Sequence, residues 1–397
     1  MSVANAKSQR SRQGIVILGG SISLYGSNMN ESSANCSILH VLYWLRAEGT
    51  PRLVLEVLRE EKRTTGQTGQ VAILRRESSD LEPELRELGV PIHDMPWERR
   101  RYDKLFAHAY QVLWRVRPRG VICYSLGCHV AVGAAAKLLG IPFVVHVGTA
   151  PPVAEPRTIT ILRWQMLAGL PFTRLYVGCS DYVRQAMHQH YSLPWRKTAR
   201  IYNGIPLDRF LAARQQRQPV DGTLRIGMVA SLEPSKDHAT LLQAMVVLKA
   251  RGESAKLILV GGGTLTEALL EQAEQLGISD YVEFRGSVMD VPGALSQMDV
   301  FAYSAKPEEG MGIALVEAMA SGLPCVVSNV AACQEVLQGG KLGTIVERQD
   351  PELWADALIR ARQLPGVSEQ DLATYQIATT LREYQQALFA EWPPFEV

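Results

Sequence analysis

The sequence predicts an α/β protein made of two domains, each a parallel β-sheet with helices on both faces. Short β-branched runs alternate with segments of helical periodicity, which is typical of βαβ units and their right-handed crossovers. The 397 residues, 47% of them hydrophobic, exceed the roughly 250–300 that one hydrophobic core serves. Residues 1–205 carry a net charge of +11 and residues 206–397 a net charge of −10. An anionic partner of the first half and a mutual attraction of two solvated surfaces explain this asymmetry equally well.

The second half of the chain shows the alternation most clearly. Leu241, Ala244, Met245 and Leu248 recur at the spacing of one helix face, and the same spacing returns over residues 315–322. Between such segments lie apolar runs of strand length. The predicted strands are Leu224–Leu232, Lys256–Gly261, Tyr281–Gly286, Asp299–Ser304, Pro324–Asn329 and Leu342–Glu347.

The first half predicts a similar order of elements. Its first strand ends in Gly19-Gly20, and Gly49 is expected to close the helix that follows. Ser180 is a suitable N-cap for a helix over Asp181–His190, because serine favours that position. The other predicted elements are a strand at Gly14–Leu18, a helix at Ala34–Glu48, strands at Val71–Arg75 and Val121–Tyr124, a helix at Cys128–Leu139, and strands at Pro142–Val147 and Leu175–Gly178.

The boundary between the domains is predicted at Asn203-Gly204-Ile205-Pro206. Asn-Gly is a turn dipeptide, proline disfavours a helical conformation in the residue before it, and the sign of the charge changes here. The first domain is therefore predicted at 1–205 and the second at 206–370. A terminal helix is expected at about 371–392, after the break at Pro365-Gly366.

Composition predicts a cytoplasmic protein. Apolar runs such as Ile141–Val145 are far shorter than the ~20 residues of a membrane span, and the N-terminus lacks the apolar segment of a signal peptide. The six cysteines contain no Cys-x-x-Cys pair, so we expect them to be reduced and mostly packed in the core. No His-x-x-x-His or Asp-x-Asp pattern of a metal site occurs, so neither a metal nor a cofactor is predicted.

The most informative segment is Glu308–Pro324, which follows a strand and opens a helix. Gly310 and Gly312 lack a Cβ atom, so a ligand can approach the backbone there. The free amides of a helix N-terminus and its dipole favour a phosphate group. Glu309 precedes the helix, and Glu317 can reach back towards its start. Two carboxylates beside a phosphate suit hydroxyl groups on either side of it, such as those of a sugar and a ribose.

This segment resembles a known family. The order strand, Glu-Gly-x-Gly, seven residues between Glu309 and Glu317, and Glu-Ala-Met-Ala-x-Gly-x-Pro is similar to the Glu-x7-Glu signature of the family-4 retaining glycosyltransferases of the GT-B fold. The resemblance covers about 120–330 well and 1–115 weakly. It continues in Tyr202-Asn-Gly-Ile205, Pro234-Ser-Lys236-Asp-His, Leu257–Gly263 and Val282-Glu-Phe-Arg-Gly286.

The resemblance implies two Rossmann-like domains that face each other across a cleft. The first would bind the acceptor, the second would bind a nucleotide-diphosphate sugar, and the terminal helix would pack back on the first. Lys236 matches the lysine that contacts the donor diphosphate, Glu309 would contact the transferred sugar, and Glu317 the ribose. The backbone that would hold the phosphates is that of Gly310, Met311, Gly312 and Ile313.

The resemblance also implies roles for residues outside this segment. Arg285 and Gly286 follow the strand that lies near the base, and Gly19-Gly20 resembles the glycine turn that faces the diphosphate. His146 ends an apolar strand near the donor sugar; a core or supporting histidine is the alternative. Ser231 stands where the family usually has an arginine, five residues before Lys236. That departure puts part of the phosphate clamp in question.

Two further features have ordinary explanations. The basic, aromatic segments Glu98–Lys104 and Trp114–Arg119 could contact anionic lipid headgroups at the inner face of a membrane, or an acceptor phosphate; a solvated helix face is the alternative. Tyr124-Ser-Leu-Gly127 lacks the Gly-x-Ser-x-Gly pattern of a hydrolase.

The predicted function is a retaining transfer of a sugar from a nucleotide-diphosphate sugar to a glycan, lipid-linked or other hydroxyl acceptor, in cell-surface polysaccharide synthesis. No nucleic-acid partner is expected. The alternatives are a catalytically silent binding or scaffold protein, which Ser231 motivates, and another GT-B enzyme such as a sugar-nucleotide epimerase or a phosphorylase.

Overall fold

The computed structural model describes residues 37–390 except 48, 78, 99, 153, 216–221 and 348. It contains two sheets in which all paired strands run parallel. The predicted α/β class with two parallel, Rossmann-like sheets is therefore confirmed. None of the helices in the described ranges is both long and apolar enough to cross a membrane.

The first sheet has seven strands in the order β3-β2-β1-β4-β5-β6-β7. The strand order reverses between β1 and β4, and ligands of such sheets bind beyond the carboxyl ends of the strands at this switch point. The strands are β1 (Ile38–Leu42), β2 (Gln70–Ile73), β3 (Ile92–Asp94), β4 (Gly120–Cys123), β5 (Phe143–Val147), β6 (Leu175–Gly178) and β7 (Thr198–Arg200).

The second sheet has six strands in the order β10-β9-β8-β11-β12-β13, with its switch point between β8 and β11. All six strands lie inside the runs predicted from the sequence or within one residue of them. They are β8 (Leu224–Val229), β9 (Ala255–Val260), β10 (Val282–Phe284), β11 (Val300–Tyr303), β12 (Cys325–Ser328) and β13 (Thr344–Val346).

Helices connect successive strands in both halves. Ser180 caps the helix after β6, because its hydroxyl accepts a hydrogen bond from the amide of Val183 at 3.1 Å. The helices are α1 (Gly49–Thr65), α2 (Glu82–Glu87), α3 (Tyr102–Val116), α4 (His129–Leu138), α5 (Pro156–Gly169), α6 (Asp181–Tyr191), α7 (Leu207–Arg214), α8 (His238–Ala250), α9 (Thr266–Gln275), α10 (Val291–Ser296), α11 (Ile313–Ala320), α12 (Ala331–Val336), α13 (Pro351–Ala361), α14 (Glu369–Leu372) and α15 (Ile377–Phe389).

The predicted helix at Ala34–Glu48 is wrong. Residues 38–42 form β1, a central strand that pairs with β2 on one side and β4 on the other. A parallel strand buried on both faces is apolar throughout, and such a run also satisfies helical spacing. Gly49 does not close a helix but begins α1. The predicted strand Gly14–Leu18 lies outside the described residues.

The C-terminal helix α15 lies against the first sheet. Tyr384, Ala387 and Leu388 are buried in one cluster with Ile122 of β4 and Val144 of β5. Residue 205 pairs with residue 376 in an isolated parallel bridge, so the chain segment between the sheets and the segment before α15 run side by side. Both sheets and α15 belong to one compact unit, and the division at 205/206 stays a prediction.

Truncating Leu388 tests the contribution of α15 to stability. The side chain is fully buried against the first sheet, so Leu388→Ala is expected to lower the free energy of unfolding by roughly 2–5 kcal/mol through lost burial and a residual cavity. Urea unfolding followed by circular dichroism measures the change. Leu270→Ala, at a leucine of α9 that is 47% exposed, is the matched control and is expected to change the value by less than about 0.5 kcal/mol. Equal losses in both variants would contradict this role of α15.

Candidate functional site

A cleft of about 1120 Å³ lies at the carboxyl ends of the strands of both sheets. One wall is formed by the β1–α1 loop and the first turns of α1. The other is formed by the loops after β8, β9 and β10, together with the segment from Tyr303 to Glu317. The position agrees with the switch-point rule for open α/β sheets, so we take this cleft as the candidate active site.

The start of α11 forms part of the cleft wall. Gly312 is its N-cap and has a φ of +82°, a left-handed conformation that favours glycine. A Cβ atom at this position would lie 2.9 Å from the Tyr303 ring, so both the backbone conformation and the space require glycine. Met311, Gly312 and Ile313 all line the cleft. An N-terminus exposed in this way offers amide donors and the positive end of a helix dipole to an anion.

Gly310 faces away from the cleft. A Cβ atom on it would lie 2.1 Å from the carbonyl oxygen of Gly148 and 2.8 Å from Sγ of Cys179. The Ser180 hydroxyl donates a hydrogen bond to the Gly310 carbonyl at 2.5 Å. The prediction that a ligand approaches Gly310 is therefore corrected, because its missing side chain admits the backbone of the first half of the chain.

Lys236, Glu309 and Tyr303 form a hydrogen-bonded cluster in the cleft wall. The Lys236 ammonium forms an ion pair with Oε2 of Glu309 and donates a hydrogen bond to the Tyr303 hydroxyl at 2.9 Å. The Tyr303 hydroxyl donates to the same Oε2 atom at 2.8 Å. The amide of Gly310 donates to the other oxygen, Oε1, at 3.1 Å. Two residues that the sequence placed 73 positions apart thus meet at one point.

The cluster holds Glu309 in its ionised form. Burial alone would raise the pKa of this carboxyl group, but the positive charge of Lys236 and the hydrogen bonds from Lys236 and Tyr303 outweigh burial and lower the pKa below its usual value. Burial and the negative charge of Glu309 raise the pKa of Tyr303 well above its usual value. The tyrosine is therefore a neutral hydrogen-bond donor beside a carboxylate.

Glu317 lies in the second turn of α11 and is half-buried in the cleft wall. Burial raises its pKa to about 7, Arg52 and Arg209 act in the opposite direction, and Glu56 adds to the rise. The carboxyl group therefore changes its charge near neutral pH. A hydrogen-bonding ligand in the cleft would meet a mixture of the two forms.

The first turn of α1 lies next to the start of α11. A Cβ atom on Gly49 would lie 3.8 Å from Cδ1 of Ile313, and the first residues of both helices line the cleft. Gly19 and Gly20, which the resemblance places opposite the diphosphate, lie outside the described residues, so that expectation stays a prediction. Gly49, which the sequence predicts at the end of a helix, instead begins α1 and lines the cleft.

Arg52 extends from α1 across the cleft to the other half of the molecule. Its Nη2 atom donates to the carbonyl of Val288 at 2.5 Å, and its Nε atom donates to the carbonyl of Ala47 at 3.1 Å. In the described part of the chain no carboxylate forms an ion pair with it, although Glu317 is close enough for its pKa to respond. The sequence carried no motif that marked this arginine.

His146 does not line the cleft, which corrects the prediction of direct contact with a sugar. The ring is buried in β5, and its Nδ1 atom shares a hydrogen bond of 2.6 Å with the Tyr384 hydroxyl of α15. Burial lowers its pKa to about 4, so the ring is neutral at physiological pH. Its Nε2 atom has no partner among the described residues and lies 3.1 Å from where a Cβ atom of Gly148 would be. Since Gly148 lines the cleft, the imidazole supports the wall from behind.

Arg285 and Gly286 are not among the residues that line the cleft, contrary to their predicted position in it. The Arg285 guanidinium donates to Glu283 at 2.7 Å, and the Gly286 carbonyl accepts from the amide of Gly261 at 2.8 Å. The wall after β10 is formed instead by residues 287–292, and Ser231 lines it after β8. The strand was therefore identified correctly, but the turn beyond it supplies the surface.

The described residues contain no group of three or more His, Cys, Asp or Glu side chains that could hold a metal ion. The five cysteines among them are buried and free. The positive charges that line the cleft come from basic side chains, including those of Arg52 and Lys236.

Comparisons with known proteins agree with this architecture. Residues 49–209 match the family described as Glycosyltransferase Family 4, and residues 210–377 match the family described as Glycosyl transferases group 1. The crystal structure of Anabaena Alr3699/HepE in complex with UDP and glucose has a TM-score of 0.69 and 18% identity, covering 89% of this chain and 95% of that one. The similarity confirms the GT-B fold.

Curated relatives match over shorter segments. The GDP-mannose-dependent alpha-(1-6)-phosphatidylinositol monomannoside mannosyltransferase of Mycobacterium tuberculosis is 31% identical over 169 residues, 39% of this chain and 44% of the relative. The putative glycosyltransferase EpsF of Bacillus subtilis is 34% identical over 167 residues, 40% of this chain and 43% of the relative. The match thus spans less than half the length of each relative. The two adjoining matches together cover residues 49–377, and with the two-sheet architecture they support a glycosyltransferase of the GT-B fold built from a family 4 domain and a group 1 domain.

Proposed function

We propose that this protein transfers a sugar from a nucleotide-diphosphate sugar to a hydroxyl group of an acceptor, with retention of the anomeric configuration. The observation that carries the proposal is the cluster of Lys236, Glu309 and Tyr303 beside the N-terminus of α11, in a cleft that the start of α1 also lines. A nucleotide-diphosphate sugar needs backbone amides and a cation at its diphosphate. It needs an ionised carboxylate at the hydroxyl groups of its sugar.

The diphosphate would be held by Lys236 and by the backbone at Gly312 and Ile313. As the glycosidic bond breaks, the leaving diphosphate gains negative charge. Preorganised amides and a cation stabilise that charge more strongly than they stabilise the bound donor, which lowers the barrier. Lys236 is paired with Glu309, so phosphate binding would draw the ammonium away from the carboxylate. The freed carboxylate oxygen would then accept hydrogen bonds from the sugar hydroxyls.

Arg52 would supply the cation that Ser231 does not. Serine at this position carries no charge, whereas Arg52 reaches the cleft from the opposite wall and its described hydrogen bonds go to carbonyl groups alone. A guanidinium on carbonyl groups retains its full positive charge for an anionic ligand. This compensation argues against the catalytically silent alternative that Ser231 raised.

The remaining roles follow from position. Glu317 would accept hydrogen bonds from the ribose, and neutral His146 would hold the strand end that carries Gly148. No protein base is assigned to the acceptor hydroxyl; the departing phosphate would take its proton.

The acceptor would enter along the first half. A glycan or lipid-linked acceptor in cell-surface polysaccharide synthesis is our choice, because the first relative acts, by its name, on a phosphatidylinositol monomannoside.

A panel of UDP-, GDP- and ADP-sugars tests the function. We expect one donor to raise the melting temperature, since a ligand of the native state stabilises it, and to release nucleoside diphosphate when an acceptor is present. Binding without release, with every acceptor class tried, would instead support a silent binding protein. Release together with an epimerised free sugar would support an epimerase.

Glu309→Gln tests the role of the carboxylate. The amide keeps the shape but loses the charge that pairs with Lys236 and would orient the sugar, so kcat/KM for the donor should fall by about 10²–10³-fold. Initial rates of nucleoside diphosphate release measure this loss. Glu308→Gln is the matched control, since Glu308 precedes Glu309 and does not line the cleft. If both variants retained full turnover, the assigned role of Glu309 would be wrong.

Arg52→Ala tests the second cation. Loss of a charge-assisted contact worth about 1.5–3 kcal/mol should raise the Kd for nucleoside diphosphate by about 10–100-fold, and Arg52→Lys should recover part of this loss. Isothermal titration calorimetry measures both. Arg63→Ala is the control, because Arg63 lies on the same helix, is 71% exposed in its side chain and pairs with Glu60. An unchanged affinity in Arg52→Ala would show that Arg52 does not replace the positive charge that the family usually has at position 231.

The pH dependence of donor binding tests Glu317. Its pKa of about 7 in the free protein means that the carboxylate is lost as the pH falls through 7. If the carboxylate accepts the ribose hydroxyls, the Kd for nucleoside diphosphate should rise below that pH, by up to about tenfold per pH unit. Glu317→Gln should weaken binding at pH 8 and remove this part of the dependence, which leaves the titration of the ligand's own phosphate. Parallel pH profiles for both proteins would contradict the assignment.

A further inference from the structure

Helix α6 begins against a residue from the other half of the chain. The amide of Asp181 donates to Oε1 of Glu335 and the amide of Tyr182 donates to Oε2, both at 2.8 Å. Glu335 lies on α12, which follows β12 of the second sheet, whereas α6 follows β6 of the first sheet. We call these two hydrogen bonds the α6–α12 contact. A single carboxylate thus joins the two halves of the molecule.

The contact completes the hydrogen bonding at the start of α6. The amides of residues 181–183 have no partner within the helix; the third of them donates to the Ser180 hydroxyl at 3.1 Å, and Glu335 accepts from the other two. A carboxylate suits this place, because hydrogen bonds to a charged acceptor are strong and the positive end of the helix dipole adds to them. The side chain of Asp181 takes no part, since its carboxylate is 60% exposed and pairs with Arg200 at 3.4 Å.

The same helix end also contacts the segment that carries Glu309. The Ser180 hydroxyl donates to the Gly310 carbonyl at 2.5 Å, and the Tyr182 hydroxyl donates to the Pro307 carbonyl at 2.9 Å. The start of α6 is therefore bonded to two parts of the second half, to α12 and to the residues on both sides of Glu309. Whatever fixes this helix end against α12 also fixes the position of the Glu309 segment relative to the first half.

The contact lies outside the cleft. Neither Glu335 nor Ser180 is among the residues that line it, so the contact would act on substrates only through the position of Glu309. The proposed donor contacts of Lys236 and α11 belong to the second half, whereas the acceptor is proposed to enter along the first. Transfer requires the two substrates to be aligned closely, and small displacements lower the rate strongly. Alignment of the halves therefore matters for the rate of transfer more than for donor binding.

We propose that Glu335 is a positioning residue, whose carboxylate holds α6 to α12 and thereby aligns the Glu309 segment with the first half. The α6–α12 contact stands on its hydrogen bonds alone, whereas its effect on turnover rests on the proposed function. Without the contact the halves would still be joined by the chain itself and by the bridge between residues 205 and 376. The protein would then fold, with its donor and acceptor walls less well aligned.

Glu335→Gln tests the proposal. An amide has the same length but offers one acceptor and one donor, so one backbone N–H group of α6 would face an NH2 group. Hydrogen exchange followed by mass spectrometry should show the amides of residues 181 and 182 exchanging at least about tenfold faster. With the donor and acceptor that the nucleotide-sugar panel identifies, kcat should fall at least about tenfold. The Kd for nucleoside diphosphate should stay within about threefold, since most of its proposed contacts lie in the second half.

Two further variants separate the contact from a general effect at the helix end. Glu335→Asp keeps two acceptor oxygens on a shorter side chain and should recover part of the loss in both measurements. Asp181→Ala is the matched control, because it removes a carboxylate from the same helix end but keeps the amide that Glu335 accepts. It should exchange and turn over as the original chain does. Circular dichroism shows whether each variant is folded.

Three results would overturn the proposal. Unchanged exchange in Glu335→Gln would contradict the α6–α12 contact, and equal changes in Asp181→Ala would show that negative charge at the helix end is what matters. Faster exchange with an unchanged kcat would contradict the positioning role. Absence of any transfer by the original chain would instead contradict the proposed function, and the exchange experiment would still decide whether Glu335 holds α6.

Discussion

The contact between the backbones of Gly310 and Gly148 determines where the candidate active site can form. Each residue follows a strand of a different sheet, and the two loops can meet this closely because no Cβ atom stands between them. Around this contact the Ala150 amide donates to the Glu308 carbonyl at 3.1 Å, and the Tyr182 hydroxyl donates to the Pro307 carbonyl at 2.9 Å. The segment that carries Glu309 is therefore held by groups from the first half before it reaches α11.

This attachment explains how a buried ion pair can serve a binding site. Burying two charges costs several kcal/mol unless their geometry is good and their remaining hydrogen bonds are made. Glu309 meets both conditions, because Lys236, Tyr303 and the Gly310 amide all contact it. Its position is fixed by the backbone, whereas Lys236 has a long flexible side chain. An incoming phosphate would thus move the lysine and leave the carboxylate in place.

The sequence was a good guide to the second half and a poorer one to the first. Strands of the second sheet alternate with helices whose buried residues recur at helical spacing, so periodicity located them. The spacing of Glu309 and Glu317 on one strand–helix unit needed only local geometry. By contrast, β1 is buried on both faces and apolar except for His40, and such a run does not distinguish a central strand from a helix. Its misassignment also hid that Gly49 begins a helix. The orientation of His146 depends on the packing of α15, which no local pattern reveals. Arg285 pairs instead with Glu283, two residues earlier along the extended chain, so its partner was visible in the local sequence.

The position of α15 connects the segment after the second sheet to the loops that support the cleft. The helix follows the second sheet in sequence but packs under the first, where Tyr384 contacts His146 and the Thr380 hydroxyl donates to the Tyr202 carbonyl at 2.9 Å. His146 lies two residues before Gly148, so the helix supports the same loop that contacts Gly310. Any rotation of one sheet against the other must therefore act on α15 as well as on the cleft. The chain crosses between the halves in the segment before α15, where residue 376 pairs with residue 205, so the two halves are joined a second time close to the loop around Gly148.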